Sequence, residues 1–171
     1  MKNYLTATIS ASAVRHNVRA LRTLIGPQVK LCPVVKDDCY GHGMEVLYPI
    51  LAELVDGFAV ASPIEALWLR EKGYRGFILC FLSAYFDDFD VQDELVRQGI
   101  TQTVMSRSAL SAIQAAAERV GGTALVHLKV DTGMGRLGVL AGQAPDMVSA
   151  IEEAAGVKLT GMYTHFATAD E

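Results

Sequence analysis

Val34-Val35-Lys36-Asp37-Asp38-Cys39-Tyr40-Gly41-His42-Gly43 is the point where an apolar, strand-favouring run delivers one lysine into a polar, glycine-bearing turn. The run begins near Val29 and is broken by Pro33. Lysine is rarely buried unpaired, because removing its charge from water is costly. A lysine at the end of such a run is either solvated at the rim or held there for its amine. A neutral amine condenses with carbonyl compounds, and pyridoxal phosphate is a common aldehyde partner. Taken alone, the decapeptide leaves both readings open. The turn also bears on the fold, because it lacks the G-x-G-x-x-G spacing of a dinucleotide-binding sheet.

Outward from this turn, strand and helix patterns alternate. Residues 4–9 alternate with period two and predict a short strand. Ser10 or Ser12 can cap the helix carrying Val14, Val18, Leu21, Leu24 and Ile25, which Gly26-Pro27 stops. The lysine strand is expected over residues 29–36, and a helix over 44–55 with Pro49 near its start or at a kink. Ser62-Pro63-Ile64-Glu65 is a capping box with proline at the first helical position. Further strands are expected over 57–61, 77–82, 100–105, 125–130 and 157–166. Helices are expected over 62–72, 87–98, 107–120 (capped by Ser106) and 145–155, with a glycine-rich loop over 131–138.

Near-continuous apolar strands alternating with amphipathic helices indicate a parallel sheet covered by helices, an α/β fold. An open doubly wound sheet and a (β/α)8 TIM-type barrel both suit the alternation. A barrel needs eight units in about 250 residues. Six core strands follow the first helix, so a barrel would be incomplete, with about six βα units. No internal repeat, low-complexity tract or linker divides the chain, and one domain is expected over residues 1–171.

The composition, half apolar with a net charge of −4, is that of a globular chain long enough for a sizeable core. No basic stripe is available for nucleic acid, and no polybasic block for a membrane surface. The apolar run 77–82 is too short to span a bilayer, and no signal-peptide pattern follows Met1. Cys32, Cys39 and Cys80 are odd in number and contain no C-x-x-C, so a reducing, cytoplasmic setting is expected. No pair among His16, His42, His127 and His165 makes a persuasive metal site.

Three segments place polar residues at strand ends. They are the Lys36 turn, Lys129-Val130-Asp131-Thr132-Gly133-Met134-Gly135-Arg136-Leu137-Gly138, and Thr164-His165-Phe166-Ala167-Thr168-Ala169-Asp170. In parallel α/β folds the carboxyl ends of the strands share one ligand-binding face. The three segments resemble, in order, the signatures of the alanine racemase family. The second matches that family's Lys-Val-Asp-Thr-Gly-Met-Gly-Arg-Leu-Gly throughout, and Glu65-Ala66 and Leu69-Arg70 fit its second barrel helix.

The resemblance implies a (β/α)8 barrel, the cofactor pyridoxal 5′-phosphate and interconversion of L- and D-alanine by a cytoplasmic homodimer. Lys36 would hold the cofactor and serve as one of two bases. Tyr40 would bond its phosphate, His165 would lie against its ring, and Arg136 would receive the substrate carboxylate or the cofactor's phenolic oxygen. Lys129 is carbamylated in some members and then orients the arginine. The match covers only the front part of the family's length. Residues 1–171 are thus expected to be its N-terminal cofactor-binding barrel portion, without the C-terminal β domain and its second base, and inactive alone.

Asp37-Asp38-Cys39 replaces the family's Ala-Asn-Ala, and two carboxylates facing the amine would favour its protonated form. Two other functions stand beside the main one. One is a non-catalytic cofactor-binding or degenerate barrel fragment; the other is a racemase for another small amino acid such as serine.

Overall fold

A computed structural model describes residues 5–85 and 88–169. The chain order is α1 (Ala11–Ile25), α2 (Lys36–Tyr40), α3 (Met44–Leu51), β1 (Gly57–Val60), α4 (Pro63–Glu71), β2 (Phe77–Cys80), α5 (Phe89–Arg97), β3 (Thr101–Val104), α6 (Arg107–Val120), β4 (Ala124–Asp131), β5 (Val139–Leu140), α7 (Ala144–Glu153) and β6 (Val157–Tyr163). Helix starts follow the sequence signals. Ser10, Ser62 and Ser106 each accept from a backbone N–H three residues on, and Ser62 with Glu65 closes a full capping box.

The strands β1, β2, β3, β4 and β6 run parallel and lie side by side in chain order. A doubly wound sheet reverses its strand order at a switch point, whereas a barrel wall adds each strand beside the last. Sequential addition selects the barrel, here a partial one. The short β5 pairs with the end of β4 alone.

Alternate strand residues face the helices. Phe58, Ile78, Val104, Val126 and Leu128 share two apolar clusters with Leu69, Leu95, Ile113 and Ile151 from the covering helices. Burying one such side chain stabilises the fold by about 1.5–3 kcal/mol. Beside Leu69, the buried Arg70 donates from Nε to Gln98 O at 3.0 Å and from Nη1 to Tyr74 O and Gly76 O at 2.9 Å, clamping the carboxyl end of α4 to that of α5. The other strand face forms the barrel interior.

β6 changes face part-way. Leu159 pairs with Val126 but Gly161 pairs with His127, so β6 carries one extra residue, a bulge. Leu159 packs toward the helices, while Gly161 and Tyr163 turn inward. A Cβ on Gly161 would lie 2.7 Å from His127 Nε2, so only glycine lets the imidazole cross there.

Several expectations are corrected. Of the strand expected over 4–9, residues 5–9 form none, and Leu5 is almost fully exposed, because no described strand pairs with them; Tyr4 lies outside the described residues. The expected lysine strand shrinks to a single bridge, Val34 to Ala59, because Pro33 has no N–H to donate. Its flanks still hold: Pro33 O accepts from Ala59 N, and Val35 N donates to Ala59 O at 2.9 Å. The helix over 44–55 ends at Leu51, two residues beyond Pro49. That over 87–98 starts at Phe89 with Asp88 as its cap, Asp87 lying outside the described residues. The last strand ends at Tyr163 rather than residue 166.

Candidate active site

Lys36 leaves the sheet directly after Val35, which is buried and bonded to β1. The chain then makes a turn of left-handed helix. Asp37, Asp38, Cys39 and Tyr40 have φ of 52°, 53°, 55° and 56°. Each left-handed residue with a side chain costs about 1–2 kcal/mol, and such residues normally occur singly. The turn is held from several sides. Cys39 is buried in the apolar cluster, Gly41 N donates to Asp37 O at 3.0 Å, and Gly43 N donates to Asp38 O at 2.9 Å. Asp37 N donates to Glu65 Oε1 at 2.8 Å.

This geometry places the second of the two carboxylates. The Asp38 carboxylate accepts from Met44 N, at the start of α3, and Lys36 forms no ion pair among the described residues. The lysine amine instead stands 5.7 Å from the Tyr40 ring centroid.

Lys129 sits on the inner face of β4, only 8% exposed, with its amine 5.1 Å from the Tyr163 ring centroid. Burial pulls its pKa below the usual lysine range; Asp131 opposes that shift and Arg136 adds to it. The loop beyond is shaped by Asp131, whose carboxylate accepts from Gly133 N at 3.0 Å and Gly135 N at 3.1 Å. Those bonds hold the Asp131 carboxyl below the usual carboxylate range. Gly138 closes the loop at φ 115°, where a Cβ would meet Asp131 N and Lys129 O at 2.9 Å. The exposed Arg136 is thereby carried over the end of β4.

Thr132 and Thr164 share a hydroxyl hydrogen bond of 2.7 Å, which ties this loop to the segment after β6. His165 follows there, exposed, with Nδ1 2.7 Å from Phe166 O. A carbonyl only accepts, so Nδ1 carries the hydrogen and Nε2 keeps the lone pair in the neutral ring.

All five residues singled out in the sequence line one cleft of about 470 Å³: Lys36, Tyr40, Lys129, Arg136 and His165. No carboxylate is among the described residues lining it, and Phe81, Leu82 and Leu137 give it an apolar wall. It therefore suits a ligand with an apolar body and anionic groups. Tyr163 was missed as a site residue, because period-two reading from Val157 places it with the helix-facing set. The signal was Gly161, a lone glycine in a strand pattern, which marks a bulge.

Comparisons with known proteins identify the family of the chain. The family described as "Alanine racemase, N-terminal domain" matches residues 9–171. The alanine racemase of Methanococcus maripaludis is 38% identical over 96% of this chain and 44% of its own length. A crystal structure of alanine racemase from D-cycloserine-producing Streptomyces lavendulae superposes with a TM-score of 0.84 at 37% identity, covering 94% of this chain and 42% of that one. A histidine racemase from Leuconostoc mesenteroides subsp. sake superposes with a TM-score of 0.83 at 25% identity, over 94% and 42%. The chain thus spans less than half the length of the relatives it matches. A match over nearly the whole sequence, on the same partial barrel, places the chain in the alanine racemase family, within its N-terminal domain.

Proposed function

We propose that this chain is the cofactor-holding part of a pyridoxal 5′-phosphate-dependent amino-acid racemase, with alanine as substrate. The observation that carries the proposal is the cleft itself, in which an unpaired lysine amine meets a second lysine, an arginine, a histidine and a tyrosine without an opposing carboxylate. That donor set fits an aldehyde cofactor bearing a phosphate. When bound, the cofactor supplies an electron sink that stabilises negative charge at the substrate α-carbon.

The chain's own residues divide the remaining work. Lys36 Nζ would hold the cofactor and would take or return the α-proton. Tyr40 Oη would donate to the phosphate. His165 would stand beside the ring, and the Arg136 guanidinium would receive a carboxylate or phenolic oxygen through its planar fork. The Lys129 side chain borders Arg136 and sets the charge beside it, which carbamylation would reverse. Phe81, Leu82 and Leu137, which line the cleft, would keep water from the ring. Residues 1–171 form one domain in this reading and contain one of the two bases, so racemisation by them alone is expected to be slight. Three unpaired cysteines suit a reducing cytoplasm.

The likeness to a histidine racemase supports a second reading, a related amino acid as substrate. Exchange of the α-hydrogen in deuterium oxide, with alanine, serine and histidine offered separately, tests both. Cofactor-dependent exchange that is fastest with alanine and lost in Lys36→Ala supports the proposal. Exchange undiminished in Lys36→Ala overturns it.

A further inference from the structure

Glu65 does more than start a helix. Its Oε2 accepts from Ser62 N at 2.8 Å and from Ala61 N at 2.9 Å, which satisfies the amino end of α4. Its other oxygen, Oε1, accepts from Asp37 N at 2.8 Å, 28 positions away in sequence. A capping box needs no such third bond. Asp37 directly follows the lysine and is the first of the four left-handed residues, so the bond falls where the backbone departs from ordinary geometry.

We infer that Glu65 is a positioning residue for Lys36: its carboxylate pins the first residue of the left-handed turn to the β1–α4 junction. That junction carries Ala61, which itself lines the cleft, so one carboxylate fixes both the wall and the departure point of the lysine. The inference rests on Lys36 being the cofactor lysine.

Glu65→Gln separates the two tasks. An amide has a single acceptor oxygen. Turned to keep the Ala61 and Ser62 bonds, it presents an N–H to the Asp37 N–H, donor against donor. Ser62→Ala is the control, since it weakens the helix cap by removing the acceptor for Glu65 N while leaving the Asp37 bond intact.

The measurement is the concentration of pyridoxal 5′-phosphate giving half-maximal borohydride-trapped adduct on Lys36, with amide hydrogen exchange read in parallel. In Glu65→Gln this concentration is expected to rise about tenfold, with exchange accelerated at Asp37 but not at Ser62, because a hydrogen bond to a charged group is lost. In Ser62→Ala it is expected to stay within about twofold of the native protein, as for a change confined to a helix start. Equal values in Glu65→Gln and the native protein, or an equal rise in both variants, overturn the inference. Absence of any Lys36 adduct in the native protein overturns the functional proposal itself. If Glu65→Gln does not fold, hydrogen exchange of the native protein decides. A protected Asp37 amide supports the pin, and one exchanging like a free peptide overturns it.

Discussion

Tyr163 Oη lies 3.0 Å from Thr103 Oγ1, which in turn lies 2.8 Å from the carbonyl oxygen of Cys80. The carbonyl can only accept, so Thr103 donates to it and Tyr163 donates to Thr103. The phenol is thus held protonated inside the barrel, with its ring under the Lys129 amine and 5.8 Å from the Phe81 ring.

Burial pushes the Tyr163 phenol from 10.0 up to about 12. The folded chain therefore keeps a proton that the unfolded chain releases. The associated stability is complete below about pH 10 and is lost as pH climbs toward about 12. Cys39 and Cys80, raised by burial from 9.0 to about 11 and about 12, add losses that begin earlier. Urea unfolding of Tyr163→Phe and the native protein across the alkaline range isolates the tyrosine. The gap between them should be constant below about pH 10 and move in favour of the phenylalanine variant above it.

Gly138, which closes the arginine loop, and Gly142, just beyond β5, make a paired test. An alanine at 138 needs φ 115° and a Cβ 2.9 Å from two backbone atoms, so Gly138→Ala should lower unfolding free energy by more than about 1 kcal/mol. Gly142 has no atom within 4 Å of an added Cβ, and Gly142→Ala should stay within about 0.5 kcal/mol of the parent. Denaturant titration of both variants reads the difference.

Asp38 serves the backbone and not the amine. Asp38→Asn keeps an acceptor for Met44 N and should leave both stability and the yield of trapped Lys36 adduct near the parent's. Asp38→Ala removes that acceptor and should lose about 1 kcal/mol, the usual loss for a helix-start side chain. Thermal melts and adduct yield measured together test this. A large rise in adduct yield on Asp38→Asn would mean that the carboxylate does restrain the lysine.

Much of the frame was legible in the sequence because its signals are local. Ser62-Pro63-Ile64-Glu65 starts a helix by its own chemistry, and the apolar run from Phe77 needs only burial on both faces to become a strand. The features that place the site are not local. Asp37, Asp38, Cys39 and Tyr40 include no glycine, and aspartate visits the left-handed region as single residues, so their types do not announce a run of four; distant partners such as Glu65 hold it. Residues 4–9 carry a strand pattern, but those of them that are described have no neighbouring strand to bond, and Pro33 cannot donate to the ladder it lies in. The convergence of Lys36, Arg136 and His165 followed from parallel strands sharing one carboxyl face, a rule of topology and not of spacing.

If the Lys36 amine is the group that captures the cofactor, a trapped label must sit on that residue. Incubation with pyridoxal 5′-phosphate, borohydride reduction and peptide mapping of the pyridoxyl label test it most directly. Label is expected on Lys36, with Lys129 unlabelled and the Lys36→Ala variant left bare. Label spread over surface lysines, or carried equally by the Lys36→Ala variant, would contradict it.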